Sequence, residues 1–425
     1  MQPEWIPLFV FVVCYALFVA LPRWRSLVAC AGAVALVLSG ALSWQEALAE
    51  KIHWNVIALF FGTLVLAELF MQSRMPAVMA EWLVDHTRTM RQALLAVCAL
   101  AGGLSMFIEN VAVVLLVAPV ALSLAEKLQI RPVPLLICIA ISTNLQGTAT
   151  LIGDPPSMIL AGYMKMTFND FFIYHGKPGI FFAVQIGAIA SLMVVAWLMR
   201  HHRESVALVP VEEVRAWVPT WLLSALVVGL AFTSHFDPEF KWLAGSFTMI
   251  LAVVGLLWHH LGPRWMRTVD LIRTLDWDTT FFLCGIFVIV GGLADSGWLD
   301  TLASTMTDWV GGSPLVAYVS IIGLSVAVSA FVDNVPFLLT MIPVTQTVAD
   351  NLGVPVPFLM FGLLIGSCLG GNITPIGASA NIVSVGLLKK QGHLVSFREF
   401  MSIGIPFTLA AVVAASVFVW LVWGP

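Results

Sequence analysis

Charge is scarce in this 425-residue chain. Only 10% of its residues are Asp, Glu, Lys or Arg, against 60% that are hydrophobic. So little charge excludes an ordinary water-soluble domain and defines an all-α polytopic membrane protein, with the lipid bilayer as its surroundings. No lysine or arginine precedes Arg23, so the basic flank of a secretory signal is missing and the first apolar run reads as a retained helix. The six cysteines lie singly in apolar stretches, which leaves no disulfide framework and no metal site to expect. A phosphate-binding loop is also missing, so nucleotide hydrolysis within the chain is unsupported. Neither an enzymatic activity, a resident cofactor nor a nucleic-acid partner is expected.

What is present is a pair of interruptions. Residues 370–381 read GGNITPIGASAN and residues 146–157 read QGTATLIGDPPS, each inside a run otherwise apolar enough to span a membrane. Glycine and proline there remove helix propensity and a backbone donor. Lipid offers unwound backbone no partner, so such segments occur only where protein or a water-filled cavity surrounds them. The two stretches also correspond. Gly147, Thr150, Ile152 and Gly153 precede Gly371, Thr374, Ile376 and Gly377 by 224 residues, and the same offset joins Glu109-Asn110-Val111 to Asp333-Asn334-Val335. Farther upstream an offset of 223 joins Trp54, Gly62 and Ser73 to Trp277, Gly285 and Ser296. A tandem duplication with interrupted segments in matching places points to a secondary transporter with its site near the midplane.

About twenty apolar residues span a bilayer. By that measure the first repeat, 1–200, holds helices near 5–21, 27–43 and 54–71, an interfacial segment near 76–90, a hairpin at 91–124, a broken helix at 133–162 and a helix at 178–199. A hydrophilic cytoplasmic linker, 201–216, follows. The second repeat, 217–425, holds helices near 217–233, 240–257 and 277–293, a hairpin at 314–349, a broken helix at 357–388 and a last helix at 402–423. Each hairpin is hinged at a polar pair and reads as re-entrant. Each repeat then crosses the membrane five times, giving about ten transmembrane helices, and an odd number of crossings inverts the second copy. Lys51, Lys165, Lys177 and Lys241 fall on one side of this layout and the other sixteen basic residues on the opposite side. By the positive-inside rule the larger group is cytoplasmic and both termini are outside.

The layout leaves Glu68, Glu109, Asp154 and Asp333 at membrane depth with no lysine or arginine beside them. An intramembrane carboxylate is costly and is expected to be protonated, paired or bound to a cation, so proton or sodium coupling is assigned to these four. For Glu68, Glu109 and Asp333 the alternative is a protonated carboxyl or a hinge-end acid wetted at the interface. Asn110 and Asn334 carry both donor and acceptor at the start of a half-helix, where backbone amides favour an anion or polar oxygen. Thr150, Thr374, Ser379 and Asn381 add side-chain groups, and carbonyls near Gly147, Gly153, Gly371 and Gly377 are candidate cation ligands. Cys138 and Cys368 are expected to be packing residues. His201, His202, His259 and His260 are expected in solvated loops.

These motifs, an acid-Asn-Val hairpin paired with IGDPP and DNVPF paired with GGNITPIGASAN, resemble the ion transporter superfamily containing ArsB and NhaD, and within it sequences like the melanosomal P protein. The resemblance spans nearly the whole chain. It implies two inverted repeats, two re-entrant hairpins, two broken helices and an elevator-like movement of the hairpin domain, with Asn110, Asn334, Thr150, Asp154, Thr374, Ser379 and Asn381 lining the substrate and ion sites. Related divalent-anion symporters carry Ser-Asn-Thr at both tips. Here an acid and a valine flank each asparagine, which disfavours a dicarboxylate.

Arsenite or antimonite efflux coupled to proton entry is the favoured reading, because a neutral trihydroxy species needs hydrogen bonds rather than counter-charge. Sodium/proton antiport and inorganic anion transport are the alternatives. An intramembrane aspartyl protease would also use two carboxylates sharing a proton, but Asp154 and Asp333 sit in different kinds of element. The expected setting is a bacterial-type inner (plasma) membrane, with a small inorganic substrate and, as in some arsenite pumps, a soluble ATPase partner.

Overall fold

In a computed structural model, residues 5–127, 129–200, 213–262 and 265–425 are described. The expected linker is therefore visible only from Glu213, and His201, His202, Arg203 and Arg264 lie outside the described residues.

The described chain is nearly all helical. Its first part contains α1 (Trp5–Ala20), α2 (Arg25–Leu38), α3 (Trp54–Gln72), α4 (Met75–Asp85), α5 (Met90–Ser105), α6 (Asn110–Lys127), α7 (Val133–Gly147), α8 (Pro155–Met164) and α9 (Ile180–Leu198). A minimal antiparallel pair, β1 (Ile173–Tyr174) with β2 (Lys177–Pro178), precedes α9. The second part contains α10 (Val218–Phe236), α11 (Leu243–Leu261), α12 (Thr268–Thr274), α13 (Trp277–Asp295), α14 (Trp298–Val310), α15 (Pro314–Ser329), α16 (Asn334–Leu352), α17 (Val356–Gly370), α18 (Ser379–Lys390) and α19 (Phe397–Trp423).

Among the described residues eight helices are long and apolar enough to cross a membrane, and the bent pair α1–α2, turned by 119°, makes up to nine. Helix α2 stops at Leu38, short of the expected 43, where the backbone turns through Gly40 at φ +77°. Helices α5, α7 and α15 have 16, 15 and 16 residues. At about 1.5 Å per residue such helices reach only about 24 Å, short of the ~30 Å hydrocarbon layer. Their ends therefore need partners inside the protein. Helix α7 ends at Gly147 and the chain stays unwound until Pro155, while α17 passes through a 3₁₀ turn at Gly371–Ile373 and stays open until Ser379.

The packing is reciprocal. α2 packs on α13 as α11 packs on α3; α6 meets α18 as α16 meets α8; α7 meets α18 as α17 meets α8; and α9 lies along α19. This exchange of partners is what a two-fold relation between the copies produces. Glycines allow backbones to touch at these seams. A Cβ on Gly285 would lie 2.5 Å from the Ala29 carbonyl carbon, and one on Gly187 2.9 Å from the Ala411 oxygen.

Among the described α-helices, α12 and α14 lie outside the expected layout. Helix α14 is the counterpart of α4, and its Asp300, Thr301, Ser304, Thr305, Thr307 and Asp308 make it too polar to stand out as an apolar run. Helix α12 is a short turn before α13. The expectation that His259 and His260 lie in a solvated loop is corrected. Both belong to the last turn of α11, and His259 is buried against Trp265.

Candidate functional site

The site is built from helix ends. Asn110 and Asn334 are the first residues of α6 and α16, and the acid before each caps its helix: Glu109 Oε2 accepts from the Ala112 amide at 3.1 Å, and Asp333 Oδ1 from the Val335 amide at 3.0 Å. Carboxylates at these positions satisfy free amides and face the positive end of the helix dipole. The hinge-end role weighed for both acids is thus present, and each has a second oxygen.

The threonines tie each unwound segment to the neighbouring hairpin. Thr150 donates to the Met106 carbonyl and Thr374 to the Ala330 carbonyl, contacts that coincide under the 224-residue offset. Their hydrogens are committed, so what they can still offer a solute is oxygen lone pairs. The glycines fix how closely these pieces meet. A Cβ on Gly153 would stand 2.4 Å from the Gly147 oxygen and 2.7 Å from the Ser105 oxygen; one on Gly377 would stand 2.6 Å from the Gly371 oxygen and 2.9 Å from that of Ala330. A Cβ on Gly147 would meet Asn110 Oδ1 at 2.4 Å, and one on Gly371 the Gly377 oxygen at 2.6 Å. Backbone oxygens thus lie close against the glycines at each break.

Asn110 is 5% exposed and anchored. Ser105 donates to its Oδ1 at 2.6 Å, and its Nδ2 donates to Asn144 Oδ1 at 3.2 Å. Asn144 Nδ2 in turn donates to the Cys368 carbonyl at 3.0 Å and to Asn372 Oδ1 at 2.9 Å. This chain of amides joins the first hairpin to the second broken helix. Asn381 braces the same segment through Gly371 O at 2.9 Å and Thr374 O at 3.0 Å. Asn372 Nδ2, Asn381 Oδ1 and Asp154 Oδ2 are buried with no hydrogen-bond partner. Unpaired buried polar atoms are expensive, and these three flank the two helix breaks.

Asp154 and Glu109 share a half-open, water-sized crevice with Phe60, Thr63, Leu64, Ala67, Ile152, Gly153, Pro155 and Met158. Asp154 lies beside Asn110 and within electrostatic range of Glu109 and Asp333. No lysine or arginine lines this crevice.

Other assignments do not join this cluster. Glu68 does not line the crevice and instead accepts from Gln72 Nε2, one turn along α3, at 2.9 Å. Ser379 is exposed at the start of α18, and Asn334 is half-buried. The premise that Asp333 has no basic neighbour is corrected: Arg25 Nη1 lies 2.6 Å from Asp333 Oδ2. Arg25 reads as a loop residue because it lies next to a helix end, and nothing in its sequence neighbourhood signals a partner 308 residues away. Asn144 and Thr63 also escape a reading of the sequence. Asn144 has a signal, since Ser142-Thr143-Asn144 is a polar triplet in an apolar run just ahead of the first glycine break.

Apolar helices that break around buried amides and carboxylates are the construction of a membrane transporter, and that is the class of this protein. Its fold matches two solved transporters. The Alcanivorax borkumensis YdaH transporter aligns with a TM-score of 0.61 at 14% identity over 99% of this chain and 98% of its own, and Neisseria gonorrhoeae MtrF, described as illuminating a class of antimetabolite efflux pumps, at 0.56 and 13% identity over 92% and 84%. The chain belongs to the citrate transporter family, whose profile matches residues 15–360 and again 246–424. A 46 kDa membrane protein of Mycobacterium leprae is 31% identical over 98% of both chains, and an uncharacterized transporter of Mycobacterium tuberculosis is equally similar over the same share. The human P protein is 26% identical over 93% of this chain and 57% of its own length.

Proposed function

We propose that this multi-pass transporter works in the bacterial inner membrane, coupling proton entry to the efflux of a small uncharged polyhydroxy solute, with arsenite and antimonite in their neutral acid forms as the substrates. The observation carrying this reading is the crevice where Glu109 and Asp154 stand beside Thr63 and the Asn110 amide with no cationic side chain in its lining. A neutral triol takes hydrogen bonds from such groups, whereas citrate would bring further negative charge towards carboxylates whose nearby cation, Arg25, is already engaged by Asp278 and Asp333. Alternate protonation of Glu109 and Asp154 would supply the coupling, because a second ionised carboxylate in one buried crevice is strongly disfavoured. With the basic loops in the cytoplasm, both termini lie outside and the two hairpins enter from opposite faces.

Sodium/proton exchange is the second reading, favoured by the backbone oxygens close against Gly153 and Gly377. Proteoliposomes loaded with arsenite, antimonite, sodium, chloride or citrate and given an imposed proton gradient separate these readings. Proton-driven arsenite or antimonite movement above protein-free vesicles is expected. Sodium movement alone would select the exchanger, and citrate or chloride movement alone would overturn both.

A further inference from the structure

Arg25 is held by contacts from both sides. Its Nε lies 2.8 Å from Asp278 Oδ2 and its Nη2 donates to Thr279 Oγ1 at 2.8 Å, both on α13, while its guanidinium sits 5.3 Å from the centre of the Phe282 ring. Ser26 donates to the other oxygen of Asp278. These contacts sit at the seam where Gly285 lets α2 and α13 touch backbone to backbone, so the guanidinium is fixed to a rigid helix pair. The remaining terminal nitrogen, Nη1, reaches Asp333 Oδ2 at 2.6 Å, and the side chains of Arg25 and Asp333 are 21% and 33% exposed. A planar guanidinium with several fixed donors is suited to joining carboxylates from different elements.

The two hairpins are therefore held differently. The first tip is locked from within by the Ser105–Asn110–Asn144 amide chain. The second tip, with Phe331 exposed and Asn334 half-buried, shares the Thr374 tether at Ala330 and a Ser329 hydroxyl on the Ser367 carbonyl, and is tied in addition to a separate helix pair by the Arg25–Asp333 ion pair. We propose that Arg25 is a positioning residue of the transport site: it seats the second hairpin tip, and with it Asn334, on the α2–α13 pair, and its release frees that tip. This rests on the reading of Asn334 as a site residue.

Hydrogen exchange of the full-length protein in lipid nanodiscs tests it without any substrate, so a failure of the arsenite reading leaves the result interpretable. Asp333→Asn keeps the cap on Val335, because asparagine also caps helices, and removes the charge. Arg25→Gln removes the charge from the other side. Each variant should speed exchange of residues 331–338 by about tenfold, the scale expected for a lost charge-assisted bond. The double variant should add nothing further, Arg25→Lys, with one ammonium in place of the fork, should restore only part of the protection, and residues 105–113 of the first hairpin should be unchanged. Unchanged exchange at 331–338 in folded Asp333→Asn, or additive effects in the double variant, would overturn the proposal. If Arg25→Gln fails to fold, Asp333→Asn alone decides it.

Discussion

At the scale of single residues, the site depends on small tethers more than on the size of its crevice. Thr150 and Thr374 each bind a hairpin carbonyl, so replacing either by valine removes the tether while keeping the shape. Each Thr→Val change should lower stability by about 1–3 kcal/mol, while Thr→Ser should retain most of it, as read from thermal unfolding in detergent. Asn144 serves three partners: it accepts from Asn110 Nδ2 and donates to Cys368 O and Asn372 Oδ1. Asn144→Leu leaves all three inside the protein without that bond. A loss of at least about 2 kcal/mol is expected by the same measurement, and a loss within about 0.5 kcal/mol would remove the amide chain from the account.

At the scale of elements, the broken helices are the parts most plainly written in the sequence. Gly153 and Gly377 are legible because a glycine at matching places in two repeats implies a close approach, and the carbonyl oxygens that would lie within 3 Å of any Cβ there supply its reason. Gly153→Ala and Gly377→Ala should therefore both impair folding or transport, whereas Gly386→Ala, with open space around it in α18, should be neutral or stabilising by up to about 1 kcal/mol. The Thr tethers are half-legible: the hydroxyls are visible in the sequence, but their carbonyl partners depend on how the hairpin lies against the loop. Helix α14 is hidden by its polar residues, although the duplication that gives α4 its place also implies a counterpart. The Arg25–Asp333 pair is illegible, since no periodicity or spacing links residues so far apart.

A loop between α10 and α11 offers a separate test. Asp237 is pushed up by burial but more strongly down by the amides of Lys241, Trp242 and Leu243, so its carboxyl lies below the usual range. A depressed folded value stabilises above the unfolded value of about 3.9 and loses that contribution as pH falls through the folded one. Asp237→Ala should accordingly loosen the start of α11 at pH 7, seen as faster exchange of residues 241–246, with the difference from the parent protein shrinking below about pH 4.

At the scale of the whole molecule, two copies of one helical pattern bring their interrupted segments together, and the reciprocal pairing of α2 with α13 and α11 with α3 frames them. The family membership and the likeness to solved transporters agree with that architecture, while the proposed solute follows from the chemistry of the crevice. The proposed orientation predicts that a cysteine placed in the loop at 165–177 is labelled from outside intact cells and one placed at 389–395 only after the membrane is permeabilised. The account's central claim is that Glu109 and Asp154 couple proton movement to solute movement at the first helix break. Its most direct test is arsenite accumulation in proteoliposomes under an imposed proton gradient, comparing the parent protein with Glu109→Gln and Asp154→Asn. Gradient-driven accumulation that is lost in both variants is the predicted result, and accumulation that persists unchanged in both would contradict it.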